Sequence, residues 1–108
     1  MSQKRILVID DELLLRRALA DYLDECGHQT VTAADGAEGL AIARAEHLDA
    51  VLVDLRMPRV DGLEVVATLK AEQPELPVVV VSGTGVLQDV IEAIRWGAWD
   101  YVTKPVRD

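Results

Sequence analysis

Cysteine is almost missing from this chain: Cys26 stands alone. An internal disulfide is impossible and a thiolate metal cluster is excluded; Cys26 itself reads as a small apolar core residue. Basic residues are also in short supply, 11 Lys and Arg against 19 Asp and Glu in 108 residues, a formal net charge of −8. That shortage argues against a nucleic-acid groove or an anionic membrane as direct partner, because phosphate backbones are bound by basic patches. The acidic surplus suits a cation, or a partner with a basic face. No apolar run approaches the ~20 residues that span a bilayer. The opening MSQKRILVIDDE turns acidic within a few residues, unlike a secretory leader, so the expected location is cytoplasmic. His28 and His47 stand isolated in polar segments and read as neither metal ligands nor phosphate carriers. SGTG at 82–85 has too few glycines at the required spacing, and no Lys-Ser/Thr continuation, for a phosphate-cradling P-loop.

What is present is a recurrence of short apolar runs: Ile6–Ile9, Ala50–Val53, Val78–Val81 and a weaker Tyr101-Val102. None alternates with polar residues, the pattern of strands covered on both faces in a parallel sheet. Thr30–Ala33 is β-branched but less apolar and reads as an edge strand. Helical patterns lie between the strands. Leu15, Ala18, Leu19, Tyr22, Leu23 and Cys26 form one stripe, closed by Gly27. Asp35-Gly-Ala-Glu38 resembles a capping box opening a second helix. A third begins near Gly62 and stops before Pro74; a fourth carries Leu87, Val90, Ile91 and Ile94 and ends at Gly97. Strand and helix alternate, so right-handed crossovers wrap helices on both faces of one sheet.

The apolar run at 50–53 delivers a carboxylate, Asp54, to its tip, and Asp10 and Asp11 follow the run at 6–9. Ligands of open α/β sheets bind at the carboxyl ends of the strands. If those two strands are neighbours, three carboxylates converge, and like charges at close range call for a counter-cation. Oxygen donors without His or Cys favour a hard ion, Mg²⁺ first. Ser82 and Lys104 end two further strands. A hydroxyl and a lone cation facing an acidic metal site suit a phosphoryl group, and one carboxylate is placed to become an acyl phosphate.

Taken together, VIDDE (8–12), VLVDLRMPRVDG (51–62), PVVVVSG (77–83) and GAWDYVTKP (97–105) resemble the response-regulator receiver domain of two-component signalling, the CheY-like family. The resemblance covers residues 1–108 except a closing fifth helix, of which Lys104–Asp108 looks like the lead-in. It implies a doubly wound, flavodoxin-like α/β fold with five parallel strands in the order 2-1-3-4-5. It implies that Asp54 accepts a phosphoryl group from a phosphohistidine of a sensor histidine kinase or histidine phosphotransfer protein, so that the domain is a signalling switch rather than an enzyme. Asp10, Asp11, Asp54 and the backbone carbonyl of Arg56 would bind Mg²⁺, Asp10 largely through water. Ser82, Gly83 and Lys104 would lie at the phosphoryl group, Tyr101 would be the aromatic switch, and the Lys104–Pro105 bond would be cis.

A closing helix typically buries about four large apolar side chains at ~1.5–3 kcal/mol each, roughly 6–12 kcal/mol against a whole-domain stability of ~5–15 kcal/mol. The expectation is a fragment of a longer response regulator with an effector region downstream, or a homodimer that covers the face by element exchange. Two competing functions remain. A pseudo-receiver would keep the fold as a constitutive interaction module. An aspartyl-phosphate phosphatase is disfavoured because the position two past Asp54, where such enzymes carry a general acid, is Arg56.

Overall fold

The computed structural model describes residues 3–54, 62–82, 98 and 100–103, the last four and Ser82 by backbone alone. Five strands run Arg5–Ile9 (β1), Gln29–Ala33 (β2), Ala50–Asp54 (β3), Val78–Ser82 (β4) and Asp100–Thr103 (β5). All neighbours pair in parallel, in the order β2-β1-β3-β4-β5. Each apolar run of the sequence is thus a strand, and the run at 30–33 lies on an edge as its weaker hydropathy requires. The predicted fourth helix, Leu87 to Gly97, lies outside the described residues.

Three helices are seen among the described residues: α1 (Leu13–Glu25), α2 (Gly36–Ala45) and α3 (Gly62–Glu72). Strand parity divides the core. Leu7, Ile9, Val51, Val53, Val78 and Val80 share one face and pack in a single cluster with Leu40 and Ala43 of α2 and Val65, Val66 and Leu69 of α3. Ile6 and Val8 point the other way, toward α1, whose one buried residue is Leu19. Coverage of the two faces is unequal: Leu52 and Val79, on α1's side, are only half-buried.

The helix ends follow local chemistry. Asp35 caps α2, its Oδ1 accepting from the Glu38 N–H at 2.8 Å, and Glu38 Oε1 reaches back to accept from the Ala34 N–H at 2.7 Å. Glu38 thus reaches the N–H of the residue just before the cap. Gly27 ends α1 with φ 91°, a conformation that favours glycine. Cys26 is exposed, not a core residue. The α1 stripe is likewise narrower than its spacing suggests, with Leu15 and Leu23 half-buried and Ala18 and Tyr22 exposed. The stripe's last member falls at the helix C-cap, beyond the buried contact at Leu19.

Gly39 sets how closely α2 approaches the sheet. A Cβ there would stand 2.4 Å from Ile9 Cδ1 and 2.8 Å from Ile9 Cγ1. Gly39→Ala gains about 1 kcal/mol of helix propensity but overpacks a buried contact at a cost of about 1–3 kcal/mol. The expected net result is a loss in denaturant stability, reduced when Ile9→Val removes the nearest methyl; an unchanged or raised midpoint for Gly39→Ala alone would contradict this packing.

At the amino edge of the sheet, away from the strand tips, the Arg5 main-chain N–H donates to Asp49 Oδ2 at 2.8 Å. Arg5's guanidinium pairs with Glu46 and Gln29. The Arg5 N–H, and secondarily the charges of His47 and Lys4, hold the Asp49 carboxyl below its usual range, against a smaller desolvation effect. A depressed folded-state value means that the contribution is present above the unfolded pKa, about 4, and is lost as pH falls through the folded value. Asp49→Asn is therefore expected to be less stable than the parent near neutral pH, with the gap in urea midpoint closing below about pH 4. A gap that stays constant with pH would contradict the assignment.

Candidate functional site

The register that pairs Ile9 with Val53 carries Asp10 and Asp54 to the same carboxyl edge. Carboxylate oxygens of Asp10, Asp11 and Asp54 all lie within 4.8 Å of one another. Asp10 and Asp54 are 1% and 5% exposed, whereas Asp11 is exposed. Burying a carboxylate costs free energy unless it is hydrogen-bonded or paired, and gathering three adds mutual repulsion. Turn chemistry alone needs neither the burial nor the convergence.

Asp10 is fixed on three sides. Its N–H donates to the Ala33 carbonyl of β2 at 3.1 Å. Its Oδ1 accepts from the Glu12 N–H at 2.9 Å, a local loop in the manner of an Asx turn. Its carbonyl accepts from Arg16 Nη1 at 2.8 Å. Asp54 is the last residue of β3, held by strands on both sides. The site thus combines a rigid strand tip with a pinned turn. Its donors are oxygen atoms alone, with no His or Cys in the group, which fits a hard divalent cation rather than zinc or copper.

Other expected residues reach the same edge by backbone. Asp54 is opposite Val81, so Ser82, the last residue of β4, lies one step beyond it, opposite Thr103 of β5. Tyr101 lies in β5 opposite Val80. Arg56, Gly83, Lys104 and Pro105 lie outside the described residues, as do Trp96 and Trp99. One residue that sequence reasoning did not single out is Arg16. Its signal was a cation close to a helix N-terminus, where the dipole disfavours positive charge.

Parallel strands in the order 2-1-3-4-5, with acids gathered at their carboxyl edge, define a doubly wound α/β domain. The chain belongs to the response regulator receiver domain family, whose model matches residues 6–108, and so is a regulatory signalling domain. It is 41% identical over 105 residues to "Probable transcriptional regulator ycf27" of Cyanophora paradoxa, covering 97% of this chain and 44% of that protein. It is 37% identical over 108 residues to the transcriptional regulatory protein GlrR of Escherichia coli, covering 98% of this chain and 24% of that protein. The chain therefore spans less than half the length of these curated relatives. A CheY-like receiver domain from Methanospirillum hungatei superposes with a TM-score of 0.93 at 29% identity, covering 98% of this chain and 85% of that one. Among the described residues no helix is long and apolar enough to cross a membrane.

Proposed function

We propose that this domain is a phospho-acceptor switch in which Asp54 takes a phosphoryl group from a phosphohistidine of a sensor kinase or phosphotransfer protein. The convergence of Asp10, Asp11 and Asp54 within 4.8 Å, with Asp54 buried at a strand tip, is the observation that carries it. Mg²⁺ is the cation the donor set suits. The three carboxylates, converging within 4.8 Å, would hold such an ion. When bound, Mg²⁺ supplies charge neutralisation for the carboxylates and for the incoming phosphoryl oxygens.

The chain's own groups do the rest. An Asp54 carboxylate oxygen attacks phosphorus as the donor's P–N bond breaks, and the departing imidazole nitrogen keeps the bond pair and takes a proton from solvent. Asp11, Asp54 and the Arg56 carbonyl would hold the metal, with Asp10 contributing largely through water. Lys104 and the Ser82 hydroxyl would pair with phosphoryl oxygens, with Gly83 at the same group. In this reading Tyr101 turns inward when Ser82 moves, and a cis peptide at Pro105 aims Lys104. The output passes through the fourth helix and β5 to an effector region or downstream protein, in the cytoplasm. Half-buried Leu52 and Val79 offer a seat for a further element, from following chain or a second copy.

The experiment is intact-mass spectrometry after incubation with acetyl phosphate. A single phosphoryl adduct that requires Mg²⁺ and vanishes with chelator is expected. No adduct, together with no Mg²⁺ binding at millimolar concentration, would favour a constitutive interaction module instead.

A further inference from the structure

Arg16 lies in α1, yet its guanidinium leaves the helix surface and turns back to the strand tip. Nη1 donates to the main-chain carbonyl of Asp10 at 2.8 Å across a separation of six residues. The side chain is half-buried. A cation near a helix N-terminus opposes the macrodipole; here Asp10, Asp11 and Glu12, immediately before α1, supply negative charge on the side to which Arg16 turns.

Deepening the phospho-acceptor reading, on which it rests, we propose that Arg16 is the positioning residue of the metal site. It locks the Asp10 peptide so that the Asp10 and Asp11 carboxylates point together before any ion arrives. Asp10 is also held through its N–H, which donates to the Ala33 carbonyl, and through its side-chain Oδ1, which accepts from the Glu12 N–H. Neither fixes the carbonyl that leads into Asp11, and Asp11 is the exposed member of the cluster. Without the Arg16 bond the peptide joining the two acids loses a restraint on its carbonyl, which loosens the placement of the Asp11 carboxylate. A pre-organised ligand set then becomes one that has to be ordered by the ion. The cation also stands beside the turn where negative charge accumulates, so the same side chain offsets part of the repulsion in the ion-free state.

The test is calorimetric titration of the protein with Mg²⁺ alone, comparing parent, Arg16→Ala and Arg16→Lys. Outer-shell partners of metal ligands are worth about 10–100-fold in affinity. Arg16→Ala is expected at the low end, a dissociation constant raised about tenfold, and Arg16→Lys, which retains a donor and the charge, is expected to recover most of that loss. Labelling by acetyl phosphate should follow the same split, with the Arg16→Ala deficit recovered as Mg²⁺ is raised. A parent that binds Mg²⁺ while Arg16→Ala binds equally well overturns the proposal and leaves the phospho-acceptor reading standing. The proposal also fails if Arg16→Lys is as weak as Arg16→Ala, or if extra Mg²⁺ recovers no labelling. A parent that does not bind Mg²⁺ overturns both.

Discussion

Asp54→Asn is expected to reduce Mg²⁺-dependent labelling by a small phosphodonor to background. The substitution keeps the shape of a buried side chain at the tip of β3, which is 5% exposed in the parent. The strand, paired on both sides, has no reason to move. What changes is the chemistry: an amide oxygen is a poor nucleophile and carries no charge to share with a cation. Removing one of three neighbouring negative charges also relieves repulsion. The variant is therefore expected to unfold at an equal or higher denaturant concentration than the parent without Mg²⁺, while binding Mg²⁺ more weakly. That combination separates loss of a functional group from loss of fold. Labelling equal to the parent, or a lowered midpoint, would contradict the assignment.

The second large effect is structural. Leu7→Ala is expected to cost about 2–5 kcal/mol, a large share of the ~5–15 kcal/mol that holds a domain of this size together. Leu7 is fully buried at the middle of β1, paired with Val31 of β2 on one side and Val51 of β3 on the other. It belongs to the cluster formed with α2 and α3. Its neighbours are strand residues fixed by two ladders, so they are poorly placed to collapse into the space left behind. β1 also leads directly to Asp10, so the strand that anchors the core positions the site. The measurement is equilibrium urea denaturation. A loss below about 1 kcal/mol would mean that the core relaxes far more than dense packing allows.

Much of the sheet was legible because its signal is short-range. Four apolar residues in a row, as at 6–9, 50–53 and 78–81, cannot alternate between core and solvent, so both faces must be covered. The place of Asp10, Asp11 and Asp54 followed from the same fact: a residue just past a buried strand lies at the sheet edge, and adjacent strands bring edges together. The reading of α1 was less secure. Its stripe includes Tyr22 and Cys26, which are exposed, because apolar spacing says which residues share a face but not how far a neighbour covers it. Glu38 showed a similar limit: the box at 35–38 was plain, but not that its carboxylate reaches the Ala34 N–H. Arg16 left only a faint signal, a cation near a helix N-terminus. Its contact depends on the rotation of α1 about its axis relative to the β1 tip, which no pattern in the chain states. Nor does periodicity reveal that the α2 backbone approaches Ile9 closely enough to require glycine at 39.

The central claim is that Asp54, and no other group, becomes the acyl phosphate at an acidic metal site. Reductive trapping tests it most directly: label the protein with acetyl phosphate and Mg²⁺, reduce with borohydride, digest, and sequence the peptides by mass spectrometry. Conversion of residue 54 alone to homoserine is the predicted result. Conversion at Asp10 or Asp11 instead, or a label that resists borohydride and maps to His28 or His47, would contradict it.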